Sequence, residues 1–244
     1  MVISISINAA ELGMRAGRFA AERLREAIEA SDEASLVLST GASQFETLAW
    51  LITEDVDWTK VSVFHLDEYI GLPASHKASF RKYLYERFIS KITCKTFYAV
   101  DTEGDIEERI RFLTARIREK PIDVGLIGIG VNGHIAFNDP PADFSTREAY
   151  ITVNLDDVCK KQQVDEGWFA SVDEVPSGAV TMTVWQIMQC RTIISAVPHA
   201  VKADAVSKAL TSKPDPLIPA SILKQHNDFN LFLDYASASK TVVF

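Results

Sequence analysis

Val124-Gly125-Leu126-Ile127-Gly128-Ile129-Gly130-Val131-Asn132-Gly133-His134-Ile135-Ala136-Phe137-Asn138-Asp139-Pro140-Pro141 is the stretch on which the fold turns. An apolar run leads into Gly128, Gly130 and Gly133 at the spacing of a dinucleotide-binding turn. Glu148 stands about twenty positions on, where an acid would meet a ribose. A dinucleotide fingerprint must open a full helix, however, and Pro140-Pro141 would end one after barely two turns. The stretch therefore reads as a glycine-supported loop after a buried strand, presenting Asn132, His134 and Asp139. A histidine with an acid five residues away forms an oriented general-base pair if the loop folds back.

Outward from this loop, short apolar runs alternate with helical periodicity. Ile3, Ile5 and Ile7 read as a strand, followed by helical spacing from Leu12 to Ile28. Strands at Leu36–Leu38, Val61–Phe64, Phe97–Val100 and Val124–Gly128 are interleaved with helices over Phe45–Ile52, Phe80–Ile89 and Ile106–Ile117. A strand at Ile193–Val197, a helix at Val201–Leu210 and a strand at Phe229–Leu233 complete the series. Such alternation implies right-handed βαβ units: a mainly parallel sheet with helices on both faces, a three-layer α/β sandwich. No low-complexity linker or internal repeat interrupts it, so one domain over residues 1–244 is expected.

Composition narrows the function. With 47% hydrophobic and 24% charged residues the 244-residue chain can bury a sizeable core, which excludes disordered and collagenous classes. Apolar runs fall far short of the roughly 18 residues needed to span a bilayer. Met1 to Ile7 lacks a basic region and reads as a strand, not a signal peptide. A net charge of −8 disfavours nucleic acid or anionic lipid as partner, while leaving a small anion possible. Cys94, Cys159 and Cys190 are odd in number and widely spaced, which suits a reducing cytoplasm better than a disulfide framework.

In an open α/β sheet ligands bind beyond the carboxyl ends of the strands. Two further junctions there are chemically unusual. Ser39, Thr40, Gly41, Ala42 and Ser43 lie between strand and helix, where small residues let several N–H groups and hydroxyls face one anion. An ordinary turn with Ser43 as N-cap is the plain alternative. His65-Leu66-Asp67-Glu68-Tyr69 follows another strand; paired acids there are unlike sheet residues and suit a base aimed into a cleft plus a loop anchor, or merely solvated caps. No metal-ligand spacing occurs there.

Leu66–Leu72 and Gly128–Pro140, with Ser39–Ser43 and Lys202–Val206, resemble the glucosamine-6-phosphate deaminase (isomerase) family over nearly the whole chain. The resemblance implies a modified Rossmann-like fold without a nucleotide or other cofactor. It implies conversion of an amino-sugar 6-phosphate to a ketose 6-phosphate with release of ammonia. Asp67 would move a proton between C2 and C1, and His134 would serve the ring oxygen, oriented by Asp139 and Asn132. The Ser39–Ser43 loop and Lys202 would hold phosphate, with Glu68, Ala136 and Gln163 also expected at the substrate. Gln163 falls where relatives carry a lid arginine, and Lys160 or Lys161 is a possible substitute. Ala142, Ala149 and Ile151 stand where allosteric members carry phosphate-pairing side chains, so activation by an acetylated sugar phosphate is not expected. A galactosamine epimer remains an alternative substrate, and a homo-oligomer is possible. A 6-phosphogluconolactonase would show arginine in place of Tyr69, and a sugar-phosphate-sensing regulator would add a helix-turn-helix.

Overall fold

The computed structural model describes residues 1–165 and 167–241. The first half runs β1 (Val2–Ser6), α1 (Ala9–Ser31), β2 (Ala34–Leu38), α2 (Phe45–Leu51), β3 (Val61–His65), β4 (Asp67–Tyr69), α3 (Phe80–Arg87), β5 (Thr96–Tyr98), α4 (Ile106–Ile117) and β6 (Val124–Leu126). The second half runs β7 (Tyr150–Asn154), α5 (Asp157–Asp165), β8 (Gly178–Met182), α6 (Val184–Ile187), β9 (Thr192–Val197), α7 (Ala203–Thr211) and β10 (Phe229–Asp234).

Seven strands form one sheet in the order β1-β10-β9-β6-β2-β3-β5, every adjacent pair parallel. Successive side chains of a strand point to opposite faces, so each central strand feeds two cores. Leu36 and Leu38 of β2 pack with Leu12, Ala16 and Leu24 of α1, Leu48 of α2 and Leu84 of α3. Val37 joins the other core with Leu113 and Ile117 of α4 and Val206 of α7. The expected helix–sheet–helix layering is thus present.

Small residues bring α2 close to α1. A Cβ on Gly13 would lie 2.3 Å from the Glu46 Cβ, so only glycine permits this approach. It seats the start of α2 over the end of β2. From β2 the chain steps outward to β3 and β5, then returns across β2 to β6. The winding reverses between β2 and β6, and the crevice at their carboxyl ends is the binding position such a sheet offers.

A second sheet, antiparallel in the order β4-β8-β7, stands beyond those carboxyl ends. It corrects the expectation for the paired acids: Asp67 and Glu68 are strand residues, with Asp67 opposite Thr181 and Glu68 opposite Val180. Pairing with β8 satisfies their backbone while Leu66 starts a new direction of chain. Beneath this sheet Tyr69 packs on Phe80, Phe137 and Phe169, forming a third apolar cluster. Among the described residues no helix is long and apolar enough to cross a membrane.

Candidate active site

Four loops at the carboxyl ends of β2, β3, β6 and β9 converge on one cleft, and α5 closes its outer side. Ser39, Thr40, Gly41, Ala42, Ser43, Asp67, His134, Ala136, Gln163 and Lys202 all line it.

The loop after β2 owes its shape to Gly41, whose φ of 98° favours glycine. Tyr83 Oη donates to the Gly41 carbonyl at 2.9 Å, pinning the turn. Ser43 does not cap α2, whose N-cap position is Gln44 and lacks a side-chain cap. Instead the buried Gln44 amide donates to Ser43 Oγ at 3.1 Å and to the Ala196 carbonyl at 3.2 Å, joining this loop to β9. Ser39 Oγ is buried in the cleft wall without a hydrogen-bond partner among the described residues. A buried hydroxyl ordinarily finds a partner, so this one is available to a bound group. Lys202 lines the same cleft and is itself buried.

Asp67 and Glu68 part ways because they alternate along β4. Asp67 faces the cleft at 5% exposure. Burial, reinforced by the nearby Glu68 charge, pushes its carboxyl up to about 8, with the Phe137 backbone amide pulling the other way. Glu68 is not at the substrate cleft, which corrects its expected binding role. It is fully buried and accepts from Ser79 Oγ (2.8 Å), the Tyr69, Phe80 and Arg81 amides, and Arg81 Nε (3.2 Å). Arg81 continues to Asp101 at 2.6 Å and the Leu72 carbonyl at 2.8 Å. Glu68 thereby anchors the start of α3 to the strand that carries Asp67.

The glycine loop folds back as its sequence suggests. Gly133 has φ 87° and Ala136 φ 50°, and Asn138 stitches the end of the loop to β8 by donating to the Met182 carbonyl at 2.9 Å. His134 Nδ1 lies 3.0 Å from Asp139 Oδ1. Its ring sits over Gly130, where a Cβ would come within 2.3 Å of Nε2. Asn132 does not hold the imidazole directly. It accepts from the His134 amide at 3.0 Å and donates to Asp139 Oδ1 at 3.2 Å, fixing the pair from behind. Burial alone would raise Asp139, but hydrogen bonds from His134, Asn132 and Cys159 hold its carboxyl below the ordinary value.

On the lid side Gln163 reaches the cleft together with Gln162 and Trp168. Lys160 and Lys161 do not line it; Lys161 pairs with Asp165 at 2.7 Å in solvent. Phe80, Phe137 and Trp168 form an aromatic wall absent from the sequence expectations. Phe137 lay within the quoted loop, but no spacing rule marks Phe80 or Trp168, which tertiary packing alone brings there.

The chain is similar to known proteins over most of its length. The family model described as glucosamine-6-phosphate isomerases/6-phosphogluconolactonase matches residues 7–232. A glucosamine-6-phosphate deaminase from Clostridium novyi is 34% identical over 213 residues, covering 84% of this chain and 87% of its own. A solved structure of a monomeric glucosamine-6-phosphate deaminase superposes with TM-score 0.89 at 28% identity, over 98% of this chain and 100% of its own. A 6-phosphogluconolactonase from Trypanosoma brucei shares the fold with TM-score 0.79 at 19% identity, over 99% of this chain and 98% of its own.

Proposed function

The chain belongs to the glucosamine-6-phosphate isomerase/6-phosphogluconolactonase family, and we propose that it isomerises and deaminates an amino-sugar 6-phosphate, glucosamine 6-phosphate giving fructose 6-phosphate and ammonia. The observation that carries this reading is one carboxyl, Asp67, and one carboxylate-backed imidazole, His134, lining a single cleft that Lys202 and the Ser39–Ser43 loop also line.

Ring opening comes first. His134, facing the ring, takes the anomeric hydroxyl proton and returns one to the ring oxygen, while Asp139 holds the imidazole and stabilises its charged form. Asp67 then removes the C2 proton to give an enolamine and delivers it to C1. The resulting ketimine hydrolyses to ketose and ammonia. Moving a proton between adjacent carbons needs a base poised over both, and its affinity must lie near the working pH. An Asp67 held at about 8 meets that need, and the substrate ammonium beside it favours ionisation when the base is required. Phosphate held away from C1 and C2 orients them without entering the chemistry.

Tyr69 weighs against a lactonase: it is fully buried among aromatic rings, a place unsuited to guanidinium. Three free cysteines, two of them buried, suit the reducing cytoplasm assigned here. The test is ammonia release from glucosamine 6-phosphate and galactosamine 6-phosphate, with 6-phosphogluconolactone hydrolysis measured alongside. Ammonia from the gluco epimer at the higher kcat/KM is expected; release from neither epimer removes the deaminase assignment.

A further inference from the structure

Among the described residues lining the cleft, Lys202 is the only lysine or arginine. Its placement depends on an unusual stretch of main chain. β9 ends at Val197, and the chain enters a 3₁₀ turn over Ala200–Lys202 through His199. His199 has φ 78° and ψ 144°, a conformation that suits glycine and crowds any side chain. A strained residue persists only where its surroundings over-determine it.

Here the determinant is Asp234, the last residue of β10, the strand beside β9. The His199 N–H donates to both Asp234 carboxylate oxygens, at 3.1 and 3.2 Å, and the His199 carbonyl accepts from the Lys202 N–H at 3.0 Å. Asp234 is 4% exposed. It is fixed in turn by Ser237, whose N–H donates to Oδ1 at 2.7 Å and whose Oγ accepts from the Asp234 N–H at 3.1 Å. No proton-transfer step uses this carboxylate, yet it holds the peptide from which the lysine turn departs.

We propose that Asp234 is a positioning residue for the anion corner: through the main chain of His199 it sets the direction in which Lys202 enters the cleft beside Ser39–Ser43. This rests on the reading of that corner as the phosphate site. It predicts a particular pattern of coupling. With Asp234 truncated, His199 relaxes to negative φ and Lys202 swings away. A glycine at 199 tolerates the original φ without that carboxylate and keeps the lysine closer to its place.

The experiment measures KM, kcat and the inhibition constant of inorganic phosphate, with thermal midpoints, for Asp234→Ala, Asp234→Asn, His199→Gly, the double variant Asp234→Ala/His199→Gly, and Lys202→Ala. Asp234→Ala should raise KM and the phosphate constant about tenfold with kcat within about twofold, the signature of lost uniform binding. Adding His199→Gly should recover about threefold of that loss. Asp234→Asn keeps one acceptor oxygen and should show a smaller rise of about threefold, which serves if the alanine variant does not fold. A folded Asp234 variant with unchanged or tighter phosphate binding overturns the proposal, because removing a nearby negative charge would by itself tighten it. A loss that glycine at 199 does not relieve overturns it equally. If Lys202→Ala leaves the phosphate constant unchanged, the phosphate assignment of the corner fails instead, a result distinct from either.

Discussion

Asp67 on the short strand β4 and Asp139 at the end of the glycine loop serve one cleft, yet their surroundings drive them in opposite directions. Asp67 is desolvated with Glu68 as its neighbour in sequence, and is pushed up to about 8. Asp139 is also desolvated, but His134, Asn132 and Cys159 hydrogen-bond to it and hold it below the ordinary value. Burial is common to both, so it does not decide the outcome. What separates them is whether the charged form meets donors or another acid. One carboxyl is thereby suited to exchanging a proton, the other to remaining charged behind an imidazole.

The sharpest way to break this contrast is Asp67→Asn. An amide cannot accept the C2 proton, so turnover should fall by about a thousandfold or more while sugar-phosphate binding survives. Solvent deuterium incorporation at C1 or C2 in this variant would remove Asp67 from the mechanism. Asp139→Asn should do less, lowering kcat by about a hundredfold through a misoriented imidazole. His134→Gln should hurt turnover of the closed ring far more than that of pre-opened substrate, and equal damage to both would detach His134 from ring opening.

Smaller effects sharpen the electrostatics. In wild type kcat/KM should rise with pH through the region around 8 as Asp67 ionises. Glu68→Gln removes the neighbouring charge, so that limb should move to lower pH; a limb that stays put would acquit Glu68 as a cause. Stability carries the same signature. The folded chain keeps an Asp67 proton that the unfolded chain releases near 3.8, so this group favours folding at acid pH and its contribution is lost as pH climbs through about 8. Relative to wild type, Asp67→Asn should therefore gain in urea midpoint between about pH 5 and about pH 9.

The smallest expected effect is none. N-acetylglucosamine 6-phosphate should leave the rate curve hyperbolic and unactivated. Ala142 and Ala149 are buried in the core and, like Ile151, carry no group to pair with a phosphate. A sigmoidal curve made hyperbolic by that compound would place an effector site elsewhere on the chain.

Much of this site is legible in the sequence, for reasons visible in particular residues. Gly130, Gly133 and the Pro140-Pro141 stop make the loop that presents His134 a local matter, and apolar strands fix which loops share an end of the sheet. The small sheet was not legible. β4 has three residues, two of them acids, and its pairing with β8 spans over a hundred positions, so neither propensity nor alternation announces it. The residue pattern itself suits one cleft-facing base and one anchor, which is how Asp67 and Glu68 divide along β4; only the family resemblance put Glu68 at the substrate, and strand alternation sends it into the core instead. The aromatic wall of Phe80 and Trp168 and the left-handed His199 arise from tertiary contacts that no local pattern records.

Titration of the aspartate side-chain carboxyls by ¹³C NMR, assigned with Asp67→Asn and Asp139→Asn, tests the contrast most directly. The account predicts that the Asp67 resonance titrates near 8 and that Asp139 stays ionised below the ordinary aspartate range. An Asp67 that titrates at or below the ordinary value of 3.8 would contradict it.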